Sequence, residues 1–540
     1  MKNEYLGLGV VLLLGLVAAG CGGGSSSSSQ FTTTQQTNPV PSITSVAPSS
    51  ATAGAAAQTL TINGTNFLSS SMATYNGVVH SVGFVSSTHL TIQLSASDQA
   101  TTGSYPVVVT NPAPGGGASN AVDFRVNAAT TAGATIAPSL FSMTVGFTGT
   151  LTWPPLPIGT LGELTAAGWA SVEPSNGQFS WDRLDQAIAV AQQNGVTTIN
   201  YNMHTTPSWA AANPSAPCAF SFLTACSSPP ADINDWNNYV TALVTRYKGK
   251  INYYEIWDEP NYSGQWSGTI QQLLSMAQSA YGIIKSIDPN AQVLTPGVNV
   301  VGVQPITNGC GAGCWLASYL RAGGAQYADG VTFHGFYCQS GTSASQCAAG
   351  IGCDVAIDCA GAPLLAQIGY VRAAMSANGL ADKPIFDTSG SWGDDSNLPD
   401  SFQQAAYVAR WYILQAAAGV KIADWWGWDV KEGTLSTSSG LNAAGQAYTV
   451  VSGWLLGATV TSPCALSGWL WTCGFSRPNG YEAEIGWSSV DSSDTATTPY
   501  TPPTQFTQYR DLSGNTTSIT GAPIDVGMQP IILETGPPPS

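Results

Sequence analysis

Between residues 135 and 458, short apolar runs alternate with amphipathic stretches, and this rhythm restricts the fold more than any other feature of the chain. The runs at 196–203, 253–257, 292–296, 330–336, 384–389 and 422–428 have strand length. The stretches at 181–194, 233–248, 267–286, 363–378, 401–418 and 443–456 carry apolar residues at helical spacing. In the first of them Trp181, Leu184, Ile188 and Ala191 share one face, and Gly195 follows as a stop. Strands alternating with helices predict a parallel sheet closed into a (β/α)8 TIM barrel over 135–458, with the first two strands placed within 141–173. Such barrels keep their chemistry at the C-terminal ends of the strands, so the strand-end residues form the candidate site.

A chain of 540 residues is too long for one core and suggests about three domains. Residues 41–127 change rhythm. Runs at 42–48, 59–64, 90–94 and 105–111 alternate apolar and polar residues, with Gly, Pro and Asn between them, which predicts a small antiparallel β-sandwich. Alternation returns over 459–536, at 481–487, 508–512 and 526–534, and predicts a second small β-sandwich. Glu482 and Glu484 there read as surface charges. The expected architecture is therefore multidomain: a TIM barrel between an N-terminal and a C-terminal β-sandwich. Residues 1–21 have the form of a signal peptide, with Lys2, an apolar run from Leu6 to Val17, and Ala18-Ala19-Gly20-Cys21. Residues 22–40 are rich in Gly, Ser, Thr and Gln and read as a flexible linker.

Charged residues make up 9% of the chain, and 15 basic against 31 acidic residues leave a net charge of −16. That balance argues against nucleic acid or an anionic surface as partner and suits an extracellular protein handling neutral ligands. The 17 tryptophans fit a core and also a sugar cleft, since sugar C–H faces pack on indole rings. Ten of the eleven cysteines fall into sequence-local pairs: Cys218/Cys226, Cys310/Cys314, Cys338/Cys347, Cys353/Cys359 and Cys464/Cys473. Five disulfides and an oxidising compartment follow, though the middle four cysteines could pair differently. Without a CxxC pair and companion histidines the spacings do not suit zinc, and no metal or cofactor is expected. No repeat, phosphate-cradling loop or nucleotide fingerprint stands out.

The segment 253–261, Tyr-Tyr-Glu-Ile-Trp-Asp-Glu-Pro-Asn, reads as a strand that ends in a carboxylate and a proline. Alternation places Glu255, Trp257 and Glu259 on one face, with Glu259 at the mouth. The segment resembles the Trp-Asn-Glu-Pro-Asn motif of clan A retaining glycoside hydrolases, such as the β-xylosidase-, iduronidase- and cellulase-like enzymes. The resemblance implies that Glu259 is the general acid/base. It puts Asp258 where an Asn contacts the sugar 2-hydroxyl. The charge of Asp258 is expected to disfavour ionisation of Glu259, which suits a proton donor. The segment from His204 to Trp209 resembles the family's glycone-side loop, and His334 ends a strand resembling Phe-His-Gly-Tyr, with Phe336 in place of Tyr. After the last strand, Trp425, Trp426 and Trp428 supply one sugar platform, assigned to Trp426, with the others in the core.

The segment 383–393 matches a family stretch that includes Trp392, but Ser389 stands where the family has its nucleophilic Glu. A serine hydroxyl without an adjacent base is a poor nucleophile. Asp387, two residues earlier on the same side of the strand, is the carboxylate expected to substitute, with Asp394 and Asp395 in the loop beyond. Upstream, 160–162 departs from the Arg usual in relatives, while 169–177 keeps the family pattern with Glu173 as a structural residue. Asp258, His204, Trp209, His334, Ser389, Trp392 and Trp426 are thus the expected substrate contacts, with Glu259 and Asp387 catalytic. Two further resemblances bear on context. Residues 41–127 resemble the IPT/TIG immunoglobulin-like domain, which suggests a spacer. The end of the signal peptide resembles a bacterial lipobox, which implies lipidation of Cys21 and a membrane link through that anchor alone. The expected function is a cell-surface or secreted glycoside hydrolase acting on O-glycosidic bonds of a poly- or oligosaccharide. The alternative is a catalytically inactive carbohydrate-binding lipoprotein.

Overall fold

The computed structural model describes residues 37–538 except 53–56, 96, 100–102, 128–132, 134, 146–151, 163–166, 300–311, 337–363, 430 and 490–495. Its centre is an eight-stranded parallel sheet. The strands are β1 (Phe141–Met143), β2 (Thr160–Leu161), β3 (Thr198–Asn202), β4 (Tyr253–Glu255), β5 (Gln292–Leu294), β6 (Val331–His334), β7 (Ile385–Gly390) and β8 (Ala423–Trp425). They run β5-β4-β3-β2-β1-β8-β7-β6 across the sheet. Between β5 and β6 the barrel is closed by parallel bridges, Leu294 with Gly330 and Asn299 with His334, and by His334 N donating to Val298 O at 2.8 Å.

Helices α1 (Asp182–Gln193), α2 (Ile233–Arg246), α3 (Ile270–Ile287), α4 (Ala312–Arg321), α5 (Leu364–Ala377), α6 (Ser401–Ala417) and α7 (Ala443–Leu455) surround the sheet. Local chemistry sets their starts. Asp232 caps α2 through the Asn234 amide, Thr269 and Gln272 form a reciprocal capping box on α3, and Asp400 caps α6 through the amides of Phe402 and Gln403. The apolar face of α2, Trp236, Tyr239, Val240, Leu243 and Val244, is fully buried against the sheet. Helix α4 was not legible as a helical stretch, because the glycines and cysteines around it break the apolar spacing. Apart from β7, the strands are shorter than the apolar runs that announced them, because those runs continue into strand-end loops.

Six antiparallel strands lie beyond the barrel, in the order Thr459–Ser467, Leu470–Arg477, Tyr481–Ser488, Ile531–Glu534, Gln508–Arg510 and Thr516–Ser518. Trp471, Phe475, Ile485, Trp487 and Met528 of this region share one continuous core with the barrel. Arg410, fully buried on α6, donates to the carbonyl of Met528 and ties the two together. Residues 41–127 form two facing sheets, antiparallel except where 125–127 pair parallel with 50–52, with their own core of Leu60, Ile62, Tyr75, Leu90, Val107 and Phe124. Disulfides join Cys218 to Cys226 and Cys464 to Cys473. Cys21, Cys310, Cys338, Cys347, Cys353 and Cys359 lie outside the described residues, and with Cys310 lies the partner expected for Cys314.

Candidate active site

Strand β4 ends at Glu255, four residues short of the Glu259 to which the alternation was expected to run. Trp257 has φ 100° and Glu259 φ 39°, both left-handed. The regular alternation therefore fails, and three carboxylates at 255, 258 and 259 converge where one face was expected to carry Glu255, Trp257 and Glu259. The Trp257 ring is buried, 4.8 Å from the Trp266 ring and 6.5 Å from Trp236, and its indole donates to the Gln265 carbonyl. Left-handed backbone at a non-glycine residue is strained, and such strain concentrates where packing over-determines the conformation. Here the Glu259 amide donates to the Gly297 carbonyl at 2.8 Å, and the Tyr262 amide closes a turn on the Glu259 carbonyl. Gly297 must be glycine, since a Cβ there would lie 2.2 Å from Glu255 Oε1 and 2.3 Å from His334 Nε2.

His334, at the end of β6, is the hub of the site. Its Nδ1 lies 3.0 Å from Glu259 Oε1. Its Nε2 lies 3.7 Å from Glu255 Oε1 and 3.8 Å from Asp258 Oδ1. Burial pulls the imidazole pKa down, but the Glu255 carboxylate, the hydrogen bond to Glu259 and the nearby Asp258 outweigh it and hold the pKa well above the ordinary histidine value. Asn299 Nδ2 also donates to Glu259 Oε1, at 3.2 Å. Gln265 Nε2 donates to Asp258 Oδ2 at 3.0 Å, and Asn202 reaches towards both Glu255 and Asp258. The Glu259 side chain retains 18% of its exposure, against 1% for Glu255 and 9% for Asp258. Glu259 is thus the carboxylate of this group turned towards solvent.

Asp258 does not supply the fixed negative charge expected of it. Burial pushes its pKa up to about 8, helped by Glu259 and Glu255 and opposed by His334. The charged neighbour of Glu259 is instead the His334 ring. Asp387 is fully buried, and burial lifts it to about 8 as well. Its carboxylate accepts from the Gly335 amide at 2.9 Å and from Gln415 Nε2. Gly335 leaves no room for a side chain there, as a Cβ would meet Asp387 Oδ2 at 2.1 Å. Asp424 lies deeper, held by the hydroxyls of Ser142 at 2.5 Å and Thr144 at 2.6 Å, with burial raising it to about 7. Of the loop acids, Asp395 is spent on Trp392, Gly433 and Thr434, and Asp394 caps Ser396.

The other expected contacts divide. Ser389 is buried opposite His334 in the β6–β7 ladder, after a register shift. His204 is buried at the end of β3, edge-on to Phe220 at 5.7 Å. Trp209 is half-buried, its indole donating to the Glu173 carbonyl and its ring edge-on to Trp169. The Glu173 carboxylate accepts from the Trp169 indole and the Gly177 amide. Trp392, expected as a substrate contact, is fully buried, edge-on to Trp425 and Tyr407, and so is not open to a sugar. Trp425 and Trp428 are buried too. Trp426 is half-exposed, oriented by a hydrogen bond from its indole to Glu432 Oε2 at 2.9 Å. Asn202, Gln265, Asn299 and Gln415 escaped sequence reasoning, because only the juxtaposition of strands gives them a role. Among the described residues, no group of three or more His, Cys, Asp or Glu side chains is arranged to hold a metal ion.

These shifts share one sign. Asp258, Asp387 and Asp424 are each raised above their unfolded values, so their stabilising contribution is full below about pH 4 and lost as pH rises through about 7 to 8. The raised His334 contributes fully below its ordinary value and loses that contribution as pH rises through its folded pKa. Calorimetry should therefore find a higher Tm at about pH 5 than at about pH 8.5, by several degrees.

Residues 41–126 match the IPT/TIG domain model, and residues 156–344 match the model of the cellulases, glycosyl hydrolase family 5. Two endo-1,4-beta-xylanases of Phanerodontia chrysosporium, C and A, are 28% and 26% identical over 149 residues, 26% of this chain. The match spans about a third of the length of those relatives, 34% in each case. A family 39 glycoside hydrolase from Bacteroides cellulosilyticus WH2 superposes with a TM-score of 0.55 at 16% identity, covering 91% of this chain and 99% of that one. The chain therefore carries an IPT/TIG domain followed by a barrel with the fold of the clan A glycoside hydrolases, matched over 156–344 by the cellulase model of glycosyl hydrolase family 5.

Proposed function

We propose that the protein is a glycoside hydrolase acting on a neutral polysaccharide outside the cytoplasm. Glu259 serves as its proton donor. The carrying observation is the position of that carboxyl: partly exposed at the barrel mouth and gripped on Oε1 by His334 and Asn299, so that Oε2 is left for a ligand. The Glu259 carboxyl proton, carried on Oε2 while His334 and Asn299 hold Oε1, passes to the glycosidic oxygen; the bond from that oxygen to the anomeric carbon breaks, water adds to the carbon, and the proton it sheds returns to Glu259. Asp258, His204, Trp209 and Ser389 line the sugar site, and Trp426 is its platform. Xylans and β-glucans head the substrate panel, given the xylanases and the cellulase model that the barrel resembles. A lipid anchor at Cys21 and the disulfides fit an envelope-attached or secreted protein.

The weak point of turnover is the second carboxylate. Asp387 has both oxygens engaged and is raised by burial, so it braces the strand ends rather than attacking the sugar. Together with Ser389 at the nucleophile position, this favours a second reading: a carbohydrate-binding protein that has lost turnover. Incubation with the panel separates the two. New reducing ends support the hydrolase, and calorimetric binding without them supports the binder. Ser389→Glu places a carboxylate beside His334 and should raise turnover by an order of magnitude or more. No gain on any panel member would mean the cleft no longer fits a retaining mechanism.

A further inference from the structure

The connection from β3 to α2, residues 203–232, is long for a barrel and contains no charged side chain before Asp232. It presents Phe222 at 66% exposure. A single exposed apolar residue means little by itself. Here the ring ends a ladder that starts in the proposed site: His204 meets Phe220 at 5.7 Å, and Phe220 meets Phe222 at 5.9 Å. The loop is also fixed. Cys218–Cys226 cross-links it. The Ala219 amide donates to the Gly264 carbonyl at 2.9 Å, and the Ser267 amide to the Ser227 carbonyl at 2.8 Å, which anchors both arms to the turn following Glu259.

We propose that Phe222, backed by Phe220, is an accessory subsite: an aromatic platform for a sugar residue of the polysaccharide away from the bond being cleaved. This rests on the glycoside-hydrolase reading and deepens it, because it makes an extended chain, rather than a lone terminal sugar, the ligand. An uncharged rim suits a neutral sugar, whose C–H face packs on a ring while its hydroxyls remain in water. Holding the ring in place beforehand lowers the ordering cost of binding.

Phe222→Ala, at an exposed position, leaves the fold intact. It should raise KM for xylan or β-glucan (Kd, if the protein binds without cleaving) by about three- to tenfold. The matching disaccharide, too short to reach the rim, should be handled as by the wild type, and Phe222→Trp should restore polymer affinity. Unchanged polymer KM in Phe222→Ala, with the wild type active, overturns the subsite and leaves the hydrolase reading standing. A wild type that neither cleaves nor binds any polymer overturns both. A dimer in light scattering that dissociates on Phe222→Ala would assign the patch to a second copy of the chain and overturn the subsite.

Discussion

Replacing His334 with alanine should destabilise the protein by about 3–5 kcal/mol at neutral pH, the cost typical of removing one partner from a buried charged group. Its ring is 2% exposed and faces Glu255, Asp258 and Glu259. Without it, these carboxyls must either repel one another or take up protons. Acid supplies the protons, so the deficit should shrink as pH falls towards about 4. His334→Gln keeps a donor for Glu259 without the charge, and should recover part of the stability but not the pH dependence. Urea unfolding at several pH values measures both. A deficit below about 1 kcal/mol that is flat with pH would mean the cluster is solvated and the imidazole is not its hub.

The barrel was legible in the sequence because its strands are continuous apolar runs and its helices keep an apolar stripe, as in α2 with Trp236, Tyr239 and Leu243. The first two strands carried little signal because Phe141–Met143 and Thr160–Leu161 are too short to show a period. At the site, Asp258, Glu259 and His334 were recognisable because they stand in family-like segments at or just past the ends of β4 and β6. Their mutual geometry was not. It depends on Trp257 and Glu259 adopting left-handed backbone, and on β5 carrying Gly297 and Asn299 to the same point. Trp392 misled for a similar reason. Beside a strand end it reads as a substrate contact, but α6 brings Tyr407 against it, and that contact spans the β7–α6 connection. Trp425, Trp426 and Trp428 have near-identical surroundings in sequence, and only the backbone after β8 decides which one faces out.

Glu259→Gln should lower turnover by about 10²- to 10⁴-fold, the range expected when a positioned proton donor is removed. The amide keeps the size of the side chain and an oxygen for Asn299 to donate to, so the fold and the sugar contacts should survive. It cannot give up a proton to the glycosidic oxygen, and the His334–Glu259 contact can no longer share one. The most direct measurement is the rate of new reducing ends from the best polymer of the panel, wild type against Glu259→Gln, with Tm and calorimetric affinity recorded on the same samples. The account predicts near-complete loss of product with Kd unchanged within about threefold. Product formation at the wild-type rate by the folded variant would contradict it.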